Sequence, residues 1–122
     1  MNDFISELKY IGDRQGLEWF FERARHQLDF EHQIVAVLLG SGRGILVVEP
    51  ASDDAPHNAI IYDAVGAIRR RMQNPEAGNG AICFCDAYYI GDDLALTIAF
   101  SSCQMRCFID EAGEVLKIVE SR

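Results

Sequence analysis

From residue 81 onward the apolar residues of this chain recur at every second position, and that alternation restricts the C-terminal third to β-strands. Leu94, Leu96, Ile98 and Phe100 share one strand face, with Ala95, Thr97 and Ala99 on the other. The preceding segment divides in the same way, into Ala81, Cys83, Cys85 and Ala87 against Ile82, Phe84 and Tyr88. Gly91-Asp92-Asp93, Ser101-Ser102 and Glu111-Ala112-Gly113-Glu114 are turn sequences. They separate predicted strands at 81–90, 94–101, 104–110 and 115–120.

Upstream the spacing changes. Phe4, Ile5, Leu8 and Ile11 lie near one stripe, which predicts a short helix over 3–11 capped by Asn2 or Asp3. Leu17, Phe21, Ala24 and Leu28 recur at intervals of 4, 3 and 4, predicting a helix over 14–29. At 100° per residue Trp19 and His26 fall together on its opposite side. The continuous apolar run 34–39 and the segment 45–49 read as a buried hairpin around Gly40-Ser41-Gly42-Arg43-Gly44. A strand, not a helix, follows those glycines, so the loop is a turn and not a phosphate cradle. After the polar loop 50–56, which contains Asp53 and Asp54, Ile61, Val65, Ile68 and Met72 predict a third helix over 57–73, although Ile60-Ile61-Tyr62 at its start fits a strand equally well. Arg69-Arg70-Arg71 would close its last turn.

The expected order is therefore ααββαββββ. It describes a single α+β domain over 1–122, with a helical part at 1–32 and a sheet with one helix at 33–122. The sheet would be mostly antiparallel, its helices packed on one face.

Charge excludes some functions. With 11 basic and 19 acidic residues the net charge is −8, which repels nucleic-acid backbones and anionic membranes and favours basic partners. The first residues lack the basic run and apolar core of a secretory signal, and no apolar run reaches membrane-spanning length. A cytoplasmic protein with reduced thiols is the simplest expectation.

All four cysteines, Cys83, Cys85, Cys103 and Cys107, lie in the predicted strands, and their even spacing within each pair allows a shared face. Structural zinc prefers Cys-x-x-Cys knuckles in loops, and these are Cys-x-Cys and Cys-x-x-x-Cys. They read as small apolar filler under the third helix, with no metal or other cofactor expected. His26, His32 and His57 are far from them in sequence, so no catalytic constellation is legible. The acidic pairs Asp53-Asp54, Asp92-Asp93 and Asp110-Glu111 stand in turns. Asp86 is different, because alternation puts it on a bulky strand face with Ile82, Phe84 and Tyr88, where it either meets a partner or a cavity or stands at an edge or bulge facing water.

Three readings of function follow. The first is a non-enzymatic protein-binding module of inhibitor, immunity or chaperone type, which binds a basic partner stoichiometrically. Its partner-facing residues would be Trp19, Tyr88, Tyr89, Asp92 and Asp93. The second comes from element order, in which helices followed by a curved sheet resemble nuclear-transport-factor-2-like cones, and to a lesser degree profilin and roadblock modules. That resemblance implies a pocket, for a small molecule or a substrate, lined by Asp86 and Tyr88. The third is a homodimeric scaffold domain.

Overall fold

The segment expected to be the second helix is a β-hairpin. In the computed structural model, which describes residues 4–50 and 56–121, every regular element is a strand except one 3-10 turn at Ala77–Asn79. The expected cap at Asn2 or Asp3, and Asp53 and Asp54 of the polar loop, lie outside the described residues. The α+β expectation is thus corrected to an all-β architecture of three antiparallel sheets.

The first sheet has the order β1 (Ser6–Ile11), β2 (Gly16–Phe21), β3 (Ala24–Asp29). Glu22 and Arg23 alone connect β2 to β3, both with positive φ, 52° and 66°. This is the left-handed pair that a two-residue hairpin turn demands. The register pairs Leu17 with Leu28 and Phe21 with Ala24. These are the residues whose 4-3-4 spacing imitates a helical stripe.

The second sheet is a meander of β4 (Val35–Leu38), β5 (Gly44–Val48), β6 (Ala59–Asp63) and β7 (Ile68–Arg71). β6 and β7 replace the third expected helix. Asp63 Oδ1 accepts the N–H groups of Val65 and Ala67 and so builds the turn between them. Val65 and Ile68, half of the expected helical stripe, are exposed. Arg69, Arg70 and Arg71 lie within β7 and do not decorate a helix end; Arg69 and Arg70 donate to the carbonyls of Arg43 and Ala112.

The third sheet, β8 (Cys83–Ile90), β9 (Asp93–Ala99), β10 (Gln104–Ile109) and β11 (Val115–Ser121), follows the predicted strands closely. One irregularity has large effects. The register shifts between Phe84 and Asp86, so Cys85 is a bulge residue and the inward face passes from Phe84 to Ala87. Asp86 and Tyr88 therefore point away from the core. The cysteines separate as well: Cys83 and Cys107 are buried, while Cys85 and Cys103 are exposed. They do not form a common face beneath a helix.

The three sheets stack, and the second is the middle layer. Leu46, Val48, Ala59 and Ile61 face the third sheet and meet Leu94, Leu96 and Ile98. On the other side Ile45, Val47, Ile60 and Tyr62 meet Leu17 and Trp19 of the first sheet. Each fully buried aliphatic side chain contributes about 1.5–3 kcal/mol. Gly113 (φ 89°) lets the β10–β11 turn close onto the middle layer, because a Cβ there would come within 2.7 Å of Met72 Sδ.

Candidate functional site: an acidic cleft between the second and third sheets

Three turns meet at one end of the seam between the second and third sheets. The β4–β5 turn is folded back on itself by Gly42 N–H donating to the Leu39 carbonyl at 2.8 Å. The β8–β9 turn brings Gly91, Asp92 and Asp93. The β10–β11 turn is braced by Asp110 Oδ1, which accepts the N–H groups of Ala112 (3.0 Å) and Glu114 (2.9 Å).

Two side chains lock these turns together. The Tyr89 hydroxyl accepts the Gly40 N–H at 2.7 Å, and Glu111 Oε2 accepts the Ser41 N–H at 3.0 Å. Burial pushes the Tyr89 phenol up, the Gly40 contact opposes this, and the Glu111 charge adds to it. The hydroxyl stays protonated and keeps an acceptor for Gly40.

The space enclosed is an open cleft of about 890 Å³. Its floor is apolar, formed by Leu39, Leu94 and Ile109, with Leu38 and Leu116 standing exposed at its sides. Its rim carries Asp92, Asp93, Asp110 and Glu111, against a single lysine, Lys117. That ammonium is 5.0 Å from the centre of the Phe108 ring. The carboxylates of Asp92 and Asp93 meet no donor among the described residues. An apolar floor beneath unmatched carboxylates suits a side chain with an aliphatic stem and a cationic head.

The residues singled out by sequence are distributed unevenly. Tyr89, Asp92 and Asp93 line the cleft. Trp19 is wholly buried, its Nε1–H donating to the Ala64 carbonyl at 2.7 Å, so it belongs to the core between the first and second sheets. Tyr88 is half-buried on the outer face of the third sheet, where its hydroxyl accepts Arg106 Nε–H at 3.0 Å. Asp86 is exposed, with Oδ1 accepting the Ala87 N–H at 2.9 Å. Among the described residues neither Asp86 nor Tyr88 lines this cleft, and without helices the cone shape has no counterpart here. Asp110, Glu111 and Leu116 complete the cleft and were not singled out. The doubling of acids in the 110–111 turn, as in 92–93, is the one sequence signal for them.

Among the described residues no group of three or more His, Cys, Asp or Glu is arranged to hold a metal ion. The Cys107 thiol is pushed up to about 11 by burial, with a smaller contribution from Glu76. The Cys83 thiol is also raised, by burial. Raised thiols are poor nucleophiles at neutral pH. Among the described residues no helix is long and apolar enough to cross a membrane.

No family model matches the chain, and no curated protein matches it in sequence. Among solved structures it is similar to a chain in the structure of Tne2 in complex with Tni2, with a TM-score of 0.70 and 11% sequence identity. The match covers 88% of this chain and 77% of the other. At that identity the likeness concerns the fold.

Proposed function

We propose that the chain is a non-enzymatic protein-binding module of inhibitor or immunity type, which binds a basic partner stoichiometrically at the acidic cleft. The observation that carries this reading is the pairing of an apolar floor with unmatched carboxylates at Asp92 and Asp93. A net charge of −8 would steer a basic partner toward that rim and speed encounter. The likeness to a chain from the structure of Tne2 in complex with Tni2 supports the reading, since that fold occurs there in an assembly of two proteins. The cytoplasm is the compartment we assign to it.

The test is affinity capture on the tagged protein in its native host, read by mass spectrometry, followed by kinetics with the captured partner. The expected result is a basic protein near one-to-one, whose association slows in the Asp92→Asn/Asp93→Asn double variant and loses part of its salt dependence. An association rate indifferent to both ionic strength and the double variant would remove the cleft from the mechanism.

A second reading rests on β11, an edge strand whose Val115, Leu116 and Val119 are exposed. Exposed apolar edges favour strand addition, here a homodimer joined through two copies of β11. Sedimentation at micromolar concentration separates the two, because only the second predicts a dimer without partner.

A further inference from the structure

A different cavity opens on the opposite seam, between the first and second sheets. The strand register puts Glu49, Tyr62 and Arg71 on the middle-layer face that looks toward the first sheet, in line with Val47 and Ile60. Phe30 stands edge-on to Tyr62, with ring centres 6.3 Å apart. Asp29 and Glu31 add two carboxylates to the wall, and His32 is its remaining ionisable group. The cavity measures about 380 Å³, room for about a dozen water-sized groups at ~30 Å³ each.

Tyr62 is the informative residue. It is only 7% exposed, and its hydroxyl, which pairs with no described residue, is not a buried orphan but opens onto the solvent of the cavity. Beyond the effect of burial it feels both the Glu49 carboxylate and the Arg71 guanidinium. Those charges do not close on each other, since the ion pairs among the described residues are Lys9–Glu18, Arg25–Glu18 and Arg70–Glu114. Among the described residues Arg71 reaches the His57 carbonyl alone, at 3.5 Å. A phenol hydroxyl, a guanidinium and a carboxylate thus border one space without pairing with one another among the described residues.

We propose that this cavity binds an alkylguanidinium or alkylammonium that also carries an α-carboxylate, the chemistry of arginine and lysine. The ligand is a free basic amino acid or the last residue of a peptide. The α-carboxylate meets the Arg71 fork and the Tyr62 hydroxyl, and the cationic head lies against Glu49, helped by Asp29 and Glu31. Three carboxylates against one guanidinium set the overall sign in favour of a cation. The site is separate from the acidic cleft and does not depend on what binds there.

The experiment is an amide NMR titration of the whole protein with L-arginine, Nα-acetylarginine, agmatine and citrulline at millimolar concentrations. Arginine is expected to shift the amides of residues 29–31 and 60–62. Citrulline, which has the shape without the charge, and agmatine, which lacks the carboxylate, should each bind about tenfold more weakly. In Arg71→Gln agmatine should draw level with arginine. Tyr62→Phe keeps the ring and should weaken arginine by about threefold to tenfold. Nα-acetylarginine binding as well as arginine identifies a peptide terminus as the natural source, and weaker binding identifies the free amino acid. Equal binding of citrulline and arginine, no shifts with any of the four, or an unchanged arginine affinity in Tyr62→Phe would overturn the proposal.

Discussion

Trp19 and His26 face each other across β2 and β3, their rings stacked 5.7 Å apart with 20° between the planes. A helical reading also brings these two side chains together, because positions symmetric about a two-residue turn repeat the spacing of a helix face. The strand pairing adds what a helix would not supply: the indole enters the core and its N–H reaches Ala64 in the β6–β7 turn.

Trp19→Phe is therefore expected to destabilise the fold by about 2–4 kcal/mol, through the lost ring volume and the unmatched Ala64 carbonyl. Urea unfolding followed by circular dichroism measures it. A loss below about 0.5 kcal/mol, the range of exposed substitutions, would contradict the burial of this indole.

The β2–β3 turn offers a gain in stability. Glu22 and Arg23 both occupy the left-handed region, at a cost of about 1 kcal/mol each for an L-residue with a Cβ. Glu22→Asn with Arg23→Gly supplies the residues that such a turn prefers, and should raise the urea midpoint by the equivalent of about 1–2 kcal/mol. A lowered midpoint would argue against the hairpin.

Stability should fall in alkali. The thiols of Cys83 and Cys107 and the phenols of Tyr62 and Tyr89 are all raised in the folded state, mainly by burial. A raised group favours the fold fully below its unfolded pKa, because both states are then protonated and the folded one hides a neutral group. As pH climbs, the unfolded chain loses its protons first, so the advantage disappears on the way to the folded pKa. For Cys107 that window runs from 9.0 to about 11, equivalent to about 3 kcal/mol. Urea midpoints across this range should decline steadily, and Cys107→Ala should decline less. A flat profile would refute it.

Leu116 tests the cleft without disturbing the core. It is 65% exposed on β11, so Leu116→Ala should change stability by no more than about 0.5 kcal/mol. If the cleft holds the partner, dissociation should accelerate by about tenfold, the equivalent of about 1.4 kcal/mol. Unchanged dissociation would move the interface elsewhere.

The legibility of this fold varies with burial. β8 to β11 form an outer layer, and in β9 the large Leu94, Leu96 and Ile98 face the core while the small Ala95 and Thr97 face away, a period of two that is visible in sequence. β5 and β6 are covered on both faces and carry no polar beat; β5 was legible from the glycine turn before it, while nothing so marked the run Ala59–Tyr62. The β2–β3 turn is a Glu-Arg pair with no glycine or asparagine to announce it, and so the spacing 17, 21, 24 and 28 passed for a helix. Asp92, Asp93 and Tyr89 were found because they stand on a strand and a turn of the readable sheet. Glu111 and Leu116 belong to the same cleft only through tertiary contacts between turns, and Tyr62 acquired its neighbours the same way. The bulge at Cys85 carries no sequence mark, and it moved Asp86 and Tyr88 to the outer face.

The doubly covered middle layer has a consequence for amide hydrogen exchange. Backbone protons of Leu46, Val47, Ile60 and Ile61 are shielded above and below by other sheets, and from the sides by neighbouring strands. They should exchange only through global opening, while the outer sheets loosen in smaller steps. Both the cleft and the polar cavity lie where a slow layer meets a faster one. Occupancy of either would then register as protection in one outer sheet and leave the other, and the slow layer between them, as they were.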